Sequence, residues 1–161
     1  MNTTSKIDHL SEKFIPTVAQ WYLDNFSRDG TTLEQCEKKL RNRLNIDKLD
    51  MCFLYFCDKT APIKIKEPIG TISLAANDIP KYPQLTPCIS NLFVAEKFRK
   101  QKIGEHLIDF AKQKLRKFGF EKAYLYTTNP TIHVWYEKLG WKIIAEDTIF
   151  DIKIRIMETK L

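Results

Sequence analysis

The run Leu92-Phe93-Val94-Ala95-Glu96-Lys97-Phe98-Arg99-Lys100-Gln101-Lys102-Ile103-Gly104 contains the residue types that hold an anion. It passes from an apolar, strand-like stretch through a tight basic loop into a segment of helical period. A helix N-terminus exposes unpaired backbone N–H groups at the positive end of its dipole, which suits a phosphate, and Arg99, Lys100 and Lys102 add charge around it. The alternative is a strand–turn–helix with a solvated basic loop. A second group runs from Asn129 to Trp141, with Trp135-Tyr136 on a short helix closed by Gly140. A phenol with a pKa of about 10 can act as a general acid when it reaches a departing atom. Otherwise Tyr136 is a half-buried helix residue, and Asn129 before Pro130 is a helix cap.

The charge distribution separates these groups from the rest of the chain. Its 161 residues carry 26 Lys+Arg against 20 Asp+Glu, a net +6. Residues 97–122 hold nine basic and three acidic residues, which accounts for the entire excess. A uniformly basic surface would suggest nonspecific nucleic-acid binding. A local excess asks for one anionic partner at one place, or a solvated helix face. Phe98, Phe110 and Phe118 sit at core-type positions, so no aromatic platform for bases accompanies the charge.

The elements that must position these residues follow from periodicity. Length favours a single domain over residues 1–161, and a hydrophobic share of 43% excludes a disordered chain. A helix is expected from His9 to Phe26, with Pro16 marking its first turn, and a second from Leu33 to Leu44. Residues 1–50 would then be helices, and 51–87 strands (Met51 to Cys57, Ile69 to Leu74) joined by a Lys- and Pro-bearing loop. Asp78 to Pro87, with three prolines, must be irregular. Strand Cys88–Val94, helix Ile103–Phe118 stopped by Gly119, strand Ala123–Thr127 and helix Pro130–Leu139 make up 88–141. The remainder, 142–161, belongs to strands Trp141–Ala145 and Phe150–Ile156, the latter alternating apolar Phe150, Ile152, Ile154 and Ile156 with polar residues. The order predicts an α/β (α+β) fold, a mixed and mostly antiparallel twisted sheet flanked by about four helices.

The longest apolar run, Met51 to Cys57, is well short of the ~20 residues of a membrane helix. The first residues lack a signal-peptide stretch, and four scattered cysteines make no disulfide framework. A cytoplasmic protein without a membrane partner is expected. Cys52 and Cys57 have no paired Cys or His motif, so no metal is expected.

In these two blocks the chain resembles the GNAT superfamily of acetyl-CoA-dependent N-acetyltransferases. Leu92-x-Val94 followed by Arg99-x-x-Lys102-x-Gly104 is similar to the strand and pyrophosphate loop of that family, with Lys102 where its first glycine usually stands. Asn129, Ile132, Trp135-Tyr136 and Lys138-Leu139-Gly140-Trp141 are similar to its second block, in the same order. Together they cover about residues 88–141. The Ile69-Gly70-Thr71 strand looks like the family's third strand, and the Trp21–Phe26 and Leu85-Thr86-Pro87 regions resemble a bacterial subgroup of unassigned substrate.

The resemblance implies acetyl-CoA as co-substrate, bound by Leu92, Phe93, Val94, Arg99, Lys100, Gln101, Lys102, Ile103, Gly104, Glu105, Asn129 and Tyr136. It implies Tyr136 as general acid toward the leaving thiolate, with Asn129 on the pantetheine arm. Asp78 is the candidate base, with Glu34 and His9 also on the acceptor side; His133 lies on the short helix. Cys88 could suggest an acyl-cysteine route, but no local histidine supports it, so direct transfer is expected. Trp21, Tyr22, Asp24 and Glu34 would wall a site for a primary amine on a small molecule or peptide. The protein would be a monomer or homodimer. A CoA-binding sensor that has lost catalysis through Lys102, and a basic nucleic-acid module, are the competing readings.

Overall fold

The computed structural model describes residues 5–57 and 67–161. Strand β1 (Ser5–His9) leads through a 3-10 turn (Glu12–Phe14) into helix α1 (Ile15–Phe26). The sequence pattern had assigned His9 to the helix and no strand before it. Ser5–His9 is instead drawn into an antiparallel ladder with β2 (Met51–Cys57), from Ser5↔Cys57 to His9↔Phe53. Pairing with a distant partner outweighs local period here. Pro16 lies in the first turn of α1, where its missing N–H costs nothing.

Helix α2 (Leu33–Arg41) begins in a capping box: Gln35 N–H donates to Thr32 Oγ1 at 3.2 Å, and Thr32 N–H donates to Gln35 Oε1 at 2.9 Å. It ends earlier than its apolar spacing suggests, because Leu44 leaves the helix to bridge Met51. Strands β3 (Pro68–Ala75) and β4 (Cys88–Val94) follow, then a 3-10 turn (Glu96–Phe98) and α3 (Ile103–Lys117). The chain finishes with β5 (Lys122–Thr127), α4 (His133–Lys138), β6 (Lys142–Ile149) and β7 (Ile152–Lys160). The expected loop between Cys57 and Ile69 falls, over 58–66, outside the described residues.

Among the described residues the strands form one seven-stranded, mostly antiparallel sheet in the order β1-β2-β3-β4-β5-β7-β6, with four α-helices. The chain divides into two compact units, Met1–Ser73 with Asn91–Ile108, and Leu74–Ser90 with Asp109–Leu161. In the first, Ile15, Val18, Ala19 and Tyr22 of α1 join Cys36 and Leu40 of α2 in a core with Cys52, Leu54 and Phe56, alternate residues of β2. In the second, Ala75, Ile79, Cys88, Ile154 and Ile156 form the core, with Tyr82, Leu85, Tyr124 and Tyr126 at its margin.

The alternation expected for the last strand holds for Ile154 and Ile156 only. Phe150 and Asp151 have φ of +52° and +64° and form the turn between β6 and β7, which leaves Phe150 61% exposed. The proline-bearing stretch before β4 is irregular, as expected. Lys81 Nζ and the Tyr82 hydroxyl both bond the Asp147 carboxylate on β6, Lys81 at 2.7 Å, and together hold that carboxyl well below the usual range.

Candidate functional site

The basic loop is built by backbone geometry. Phe98 N–H bonds Ala95 carbonyl and Arg99 N–H bonds Glu96 carbonyl, closing the 3-10 turn; Lys100 (φ +60°) and Lys102 (φ +61°) then take left-handed conformations. His106 N–H donates to Lys102 carbonyl at 3.0 Å, so α3 starts directly after Lys102. The amides of Ile103, Gly104 and Glu105 are therefore first-turn donors with no partner inside the helix. Left-handed residues at the mouth of a helix can turn successive N–H groups toward one concavity, the arrangement of an anion nest. Lys102 keeps the left-handed backbone that a glycine would supply without strain, so the loop retains its shape around a lysine.

The side chains add one hydrogen-bonded cation and two exposed ones. Arg99 Nε donates to Val94 carbonyl at 2.9 Å, which anchors the guanidinium and leaves its two terminal nitrogens for a ligand. Its carbon lies 5.8 Å from the Phe93 ring centroid, and Phe93 in turn lies 4.9 Å from Trp21 of α1. Lys100 and Lys102 are exposed and have no acidic partner among the described residues. Gln101 Nε2 reaches Lys97 carbonyl at 3.5 Å, and Lys97 Nζ lies 5.0 Å from the Phe98 ring.

Strand β4 borders this loop. Its parallel ladder with β5 has the register pair Cys88↔Tyr124 among the described residues. Gly70 of β3 allows a close approach on the other side: a Cβ there would stand 2.9 Å from Phe93 carbonyl oxygen. Asn91, in the middle of β4, has φ +51°, which interrupts the pleat just before Leu92.

Tyr136 and Asn129 belong to the second unit. Tyr136 on α4 is half-buried, and its ring meets Trp135 and Trp141 edge-on at centroid distances of 4.9 and 6.0 Å. Burial pushes its phenol up to about 12, and the hydroxyl has no hydrogen-bond partner among the described residues. It is thus a protonated donor at neutral pH. Asn129 Oδ1 accepts from Thr131 N, Thr131 Oγ1 and Ile132 N at 2.9, 3.0 and 3.2 Å. Its oxygen therefore caps the turn before α4, and its amide nitrogen remains uncommitted among the described residues. That turn delays α4 to His133, three residues after the expected Pro130.

The acceptor-side candidates differ in burial. Tyr22 is not a wall residue: it is 2% exposed, and its hydroxyl contacts Ser73 Oγ at 2.6 Å. Trp21 is half-buried against Phe93; Asp24 is exposed and accepts from Gln20 at 2.8 Å; Glu34 is exposed in the first turn of α2. Asp78 is half-buried in the irregular stretch. The His9 ring lies 4.7 Å from that of Phe53, tilted by 43°, and His133 opens α4 half-buried. Cys88 is fully buried, and its thiol donates to Leu85 carbonyl at 3.3 Å, the behaviour of a core residue. Gly70, Asn91 and Arg43, the last a buried residue just past the end of α2, stand outside the sequence expectations for the site. An isolated Gly in a strand pattern signals close backbone approach, and Asn tolerates the left-handed region, so the first two had a readable signal.

Left-handed Lys100 and Lys102 at the start of α3, inside the chain's most basic segment, make a helix N-terminus of the kind that suits a phosphate. The fold is that of known acetyltransferases. The chain matches a GNAT-family acetyltransferase from Staphylococcus aureus at TM-score 0.71 and 17% identity, over 98% of this chain and 99% of that one. It matches a chain of the NatC complex bound to Gag peptide and CoA at TM-score 0.70 and 14% identity, over 98% of each. An aminoglycoside 6'-N-acetyltransferase complexed with coenzyme A matches at TM-score 0.69 and 14% identity, over 96% of each. No curated protein matches by sequence. Residues 51–143 match the acetyltransferase (GNAT) domain model, more than half of the chain, and the chain belongs to that family.

Proposed function

We propose that the protein is an N-acetyltransferase that moves the acetyl group of acetyl-CoA directly to a primary amine. The observation that carries this is the loop from Arg99 to Glu105, where two left-handed residues and an uncommitted first turn of α3 form a nest inside the chain's most basic segment. The loop fits a pyrophosphate: amides of Ile103, Gly104 and Glu105 donate, the Arg99 fork and the ammonium groups of Lys100 and Lys102 neutralise, and Gln101 braces the loop on Lys97. Acetyl-CoA supplies an activated thioester and a thiolate leaving group.

Leu92, Phe93 and Val94 bind the pantetheine arm through their backbone, as an added strand would, with the Asn129 amide as a further donor. A backbone N–H near Val94 polarises the acetyl carbonyl. Tyr136 gives its proton to the departing sulfur; its raised pKa keeps that proton in place at neutral pH. Cys88 takes no acetyl group, since its thiol is buried and bonded to Leu85. Asp78 remains the proposed base for the amine proton. Trp21, Asp24 and Glu34 are proposed acceptor contacts, and aromatic and acidic groups there favour a cationic amine. The peptide-bound and aminoglycoside neighbours support either a peptide or a small molecule as acceptor. We place the enzyme in the cytoplasm, as a monomer or homodimer without nucleic acid or metal.

The test is calorimetry with acetyl-CoA, followed by thiol detection across a panel of polyamines, aminoglycosides and lysine- or N-terminal peptides. Saturable binding and thiol release with one class of amine are expected. No binding refutes the reading, and binding without turnover on any amine replaces the enzyme with a CoA-binding sensor.

A further inference from the structure

Within the first unit, one charged side chain is buried in the core and reaches β4. Arg43, just past the end of α2, is 3% exposed. Its Nη1 donates to Asn91 Oδ1 at 2.7 Å and to the Tyr22 hydroxyl at 3.3 Å, and its guanidinium carbon lies 6.0 Å from the Tyr22 ring centroid. Its position is fixed by its own backbone. Arg43 N–H donates to Leu40 carbonyl at 2.8 Å, and Arg43 carbonyl accepts from Cys52 N–H of β2 at 3.1 Å. The Tyr22 hydroxyl is held by Ser73 Oγ of β3 at 2.6 Å. The guanidinium thus joins α1 to the left-handed residue of β4, while β2 holds the Arg43 backbone and β3 holds the Tyr22 hydroxyl.

An apolar side chain of similar volume is commonly as stable as a buried charged group, so packing alone does not call for arginine here. Asn tolerates the left-handed region better than most residues, yet φ +51° takes Asn91 out of the extended conformation a strand favours, and its bond to Arg43 offsets that cost. We propose that Arg43 is a positioning residue that locks Asn91 in its left-handed conformation and thereby sets the backbone of Leu92–Val94. This rests on the reading that Leu92–Val94 carry the pantetheine arm and the acetyl carbonyl. A charge-assisted bond is shorter and about twice as strong as a neutral one, and it holds the Asn91 amide on one side of the strand. Released, Asn91 turns the peptide groups after it away from the direction in which they must donate.

The test compares Arg43→Met, Arg43→Lys, Asn91→Gly and the Arg43→Met/Asn91→Gly double variant in the whole protein. Amide hydrogen exchange over 90–95 needs no ligand and reads the tether alone. It should rise on the order of tenfold in Arg43→Met while α3 is unchanged, with Arg43→Lys between that variant and wild type. Acetyl-CoA affinity and turnover should each fall roughly tenfold or more, whereas ADP, which has the pyrophosphate but no pantetheine arm, should bind as to wild type. Because glycine adopts the left-handed region freely, Arg43→Met should add less than about threefold in the Asn91→Gly background. Unchanged exchange at 90–95 in a folded Arg43→Met protein overturns the proposal, as does a full additional loss in the glycine background. If Arg43→Met does not fold, Arg43→Lys carries the same comparisons. A wild-type protein that binds no acetyl-CoA sinks the functional reading instead, and the exchange experiment still decides on the tether.

Discussion

Replacing Lys102 by glycine should stabilise the fold and weaken cofactor binding, two effects of opposite sign from one residue. Lys102 stands at φ +61°, exposed and without an acidic partner among the described residues. Left-handed backbone costs an L-residue with a Cβ roughly 1–2 kcal/mol. Glycine removes that strain but is more flexible when unfolded, so the net gain is about 0.5–1 kcal/mol. In a chain of this size 1 kcal/mol moves the melting temperature by roughly 2–4 °C. Against this, the variant loses an ammonium beside a pyrophosphate. Two charges about 4 Å apart interact by about 1 kcal/mol in water and by about 4 at an effective dielectric of 20. Exposure of Lys102 favours the lower figure, or roughly fivefold in Kd.

Lys102→Ala separates the terms, because it keeps the strained backbone and loses the charge. Thermal melts of the free proteins should place Lys102→Gly above wild type and Lys102→Ala near or below it. Calorimetry with acetyl-CoA should show both variants weakened at low salt, with the difference from wild type shrinking as salt screens the interaction. A Lys102→Gly protein no more stable than Lys102→Ala would refute the strain argument. Acetyl-CoA binding unchanged in both would remove Lys102 from the phosphate site.

Three further outcomes follow from the same geometry. Tyr136→Phe should lower turnover roughly 10- to 1000-fold with little change in acetyl-CoA affinity. Because burial raises the phenol to about 12, the turnover profile should show no falling limb from Tyr136 below about pH 11. The folded state keeps that proton while the unfolded chain loses it above pH ~10, so wild-type stability should fall with rising alkaline pH more than that of Tyr136→Phe, read by urea titration. Arg99→Ala removes the fork anchored on Val94 and should weaken both acetyl-CoA and ADP roughly tenfold, with a shallower salt dependence by calorimetry. Gly70→Ala puts a Cβ 2.9 Å from Phe93 carbonyl oxygen and 3.3 Å from Leu107 Cδ1. Overpacking of this kind costs roughly 1–3 kcal/mol. The melting temperature should drop and turnover should fall further than the lost folded fraction explains; wild-type values for both would show that β3 and β4 tolerate the methyl.

The parts of the molecule legible in the sequence are those fixed by local period and local chemistry. The bounds of β2 and β4 and the start of α3 coincide with their apolar patterns, because each strand and helix face is decided by its own residues. Strand β1 was hidden because five residues containing Lys6, Asp8 and His9 have no period long enough to read. Only the ladder with β2 makes them a strand. Phe150 was misassigned for the converse reason: it continues the apolar alternation of β7 in sequence, but the hairpin needs two left-handed residues at that point and takes Phe150 and Asp151.

The same division runs through the site. Arg99, Lys102 and Gly104 could be singled out because the proposed phosphate site is one short run of loop and helix. Arg43 could not, because in sequence it is an ordinary basic residue, one of two with Lys48, in the stretch between α2 and β2. Its meaning lies in contacts with Tyr22 and Asn91, 21 and 48 residues away. Lys102 sits between these cases. Its identity suggested a departure in the loop, yet φ shows the glycine-like conformation kept under a bulky cation. A residue type specifies which backbone conformations cost least; it does not forbid the costlier one when the next residues must begin a helix with their amides turned to an anion. The loop therefore accepts strain at Lys102 where glycine would have none, and the charge it gains lies next to the amides that the strain helps to present.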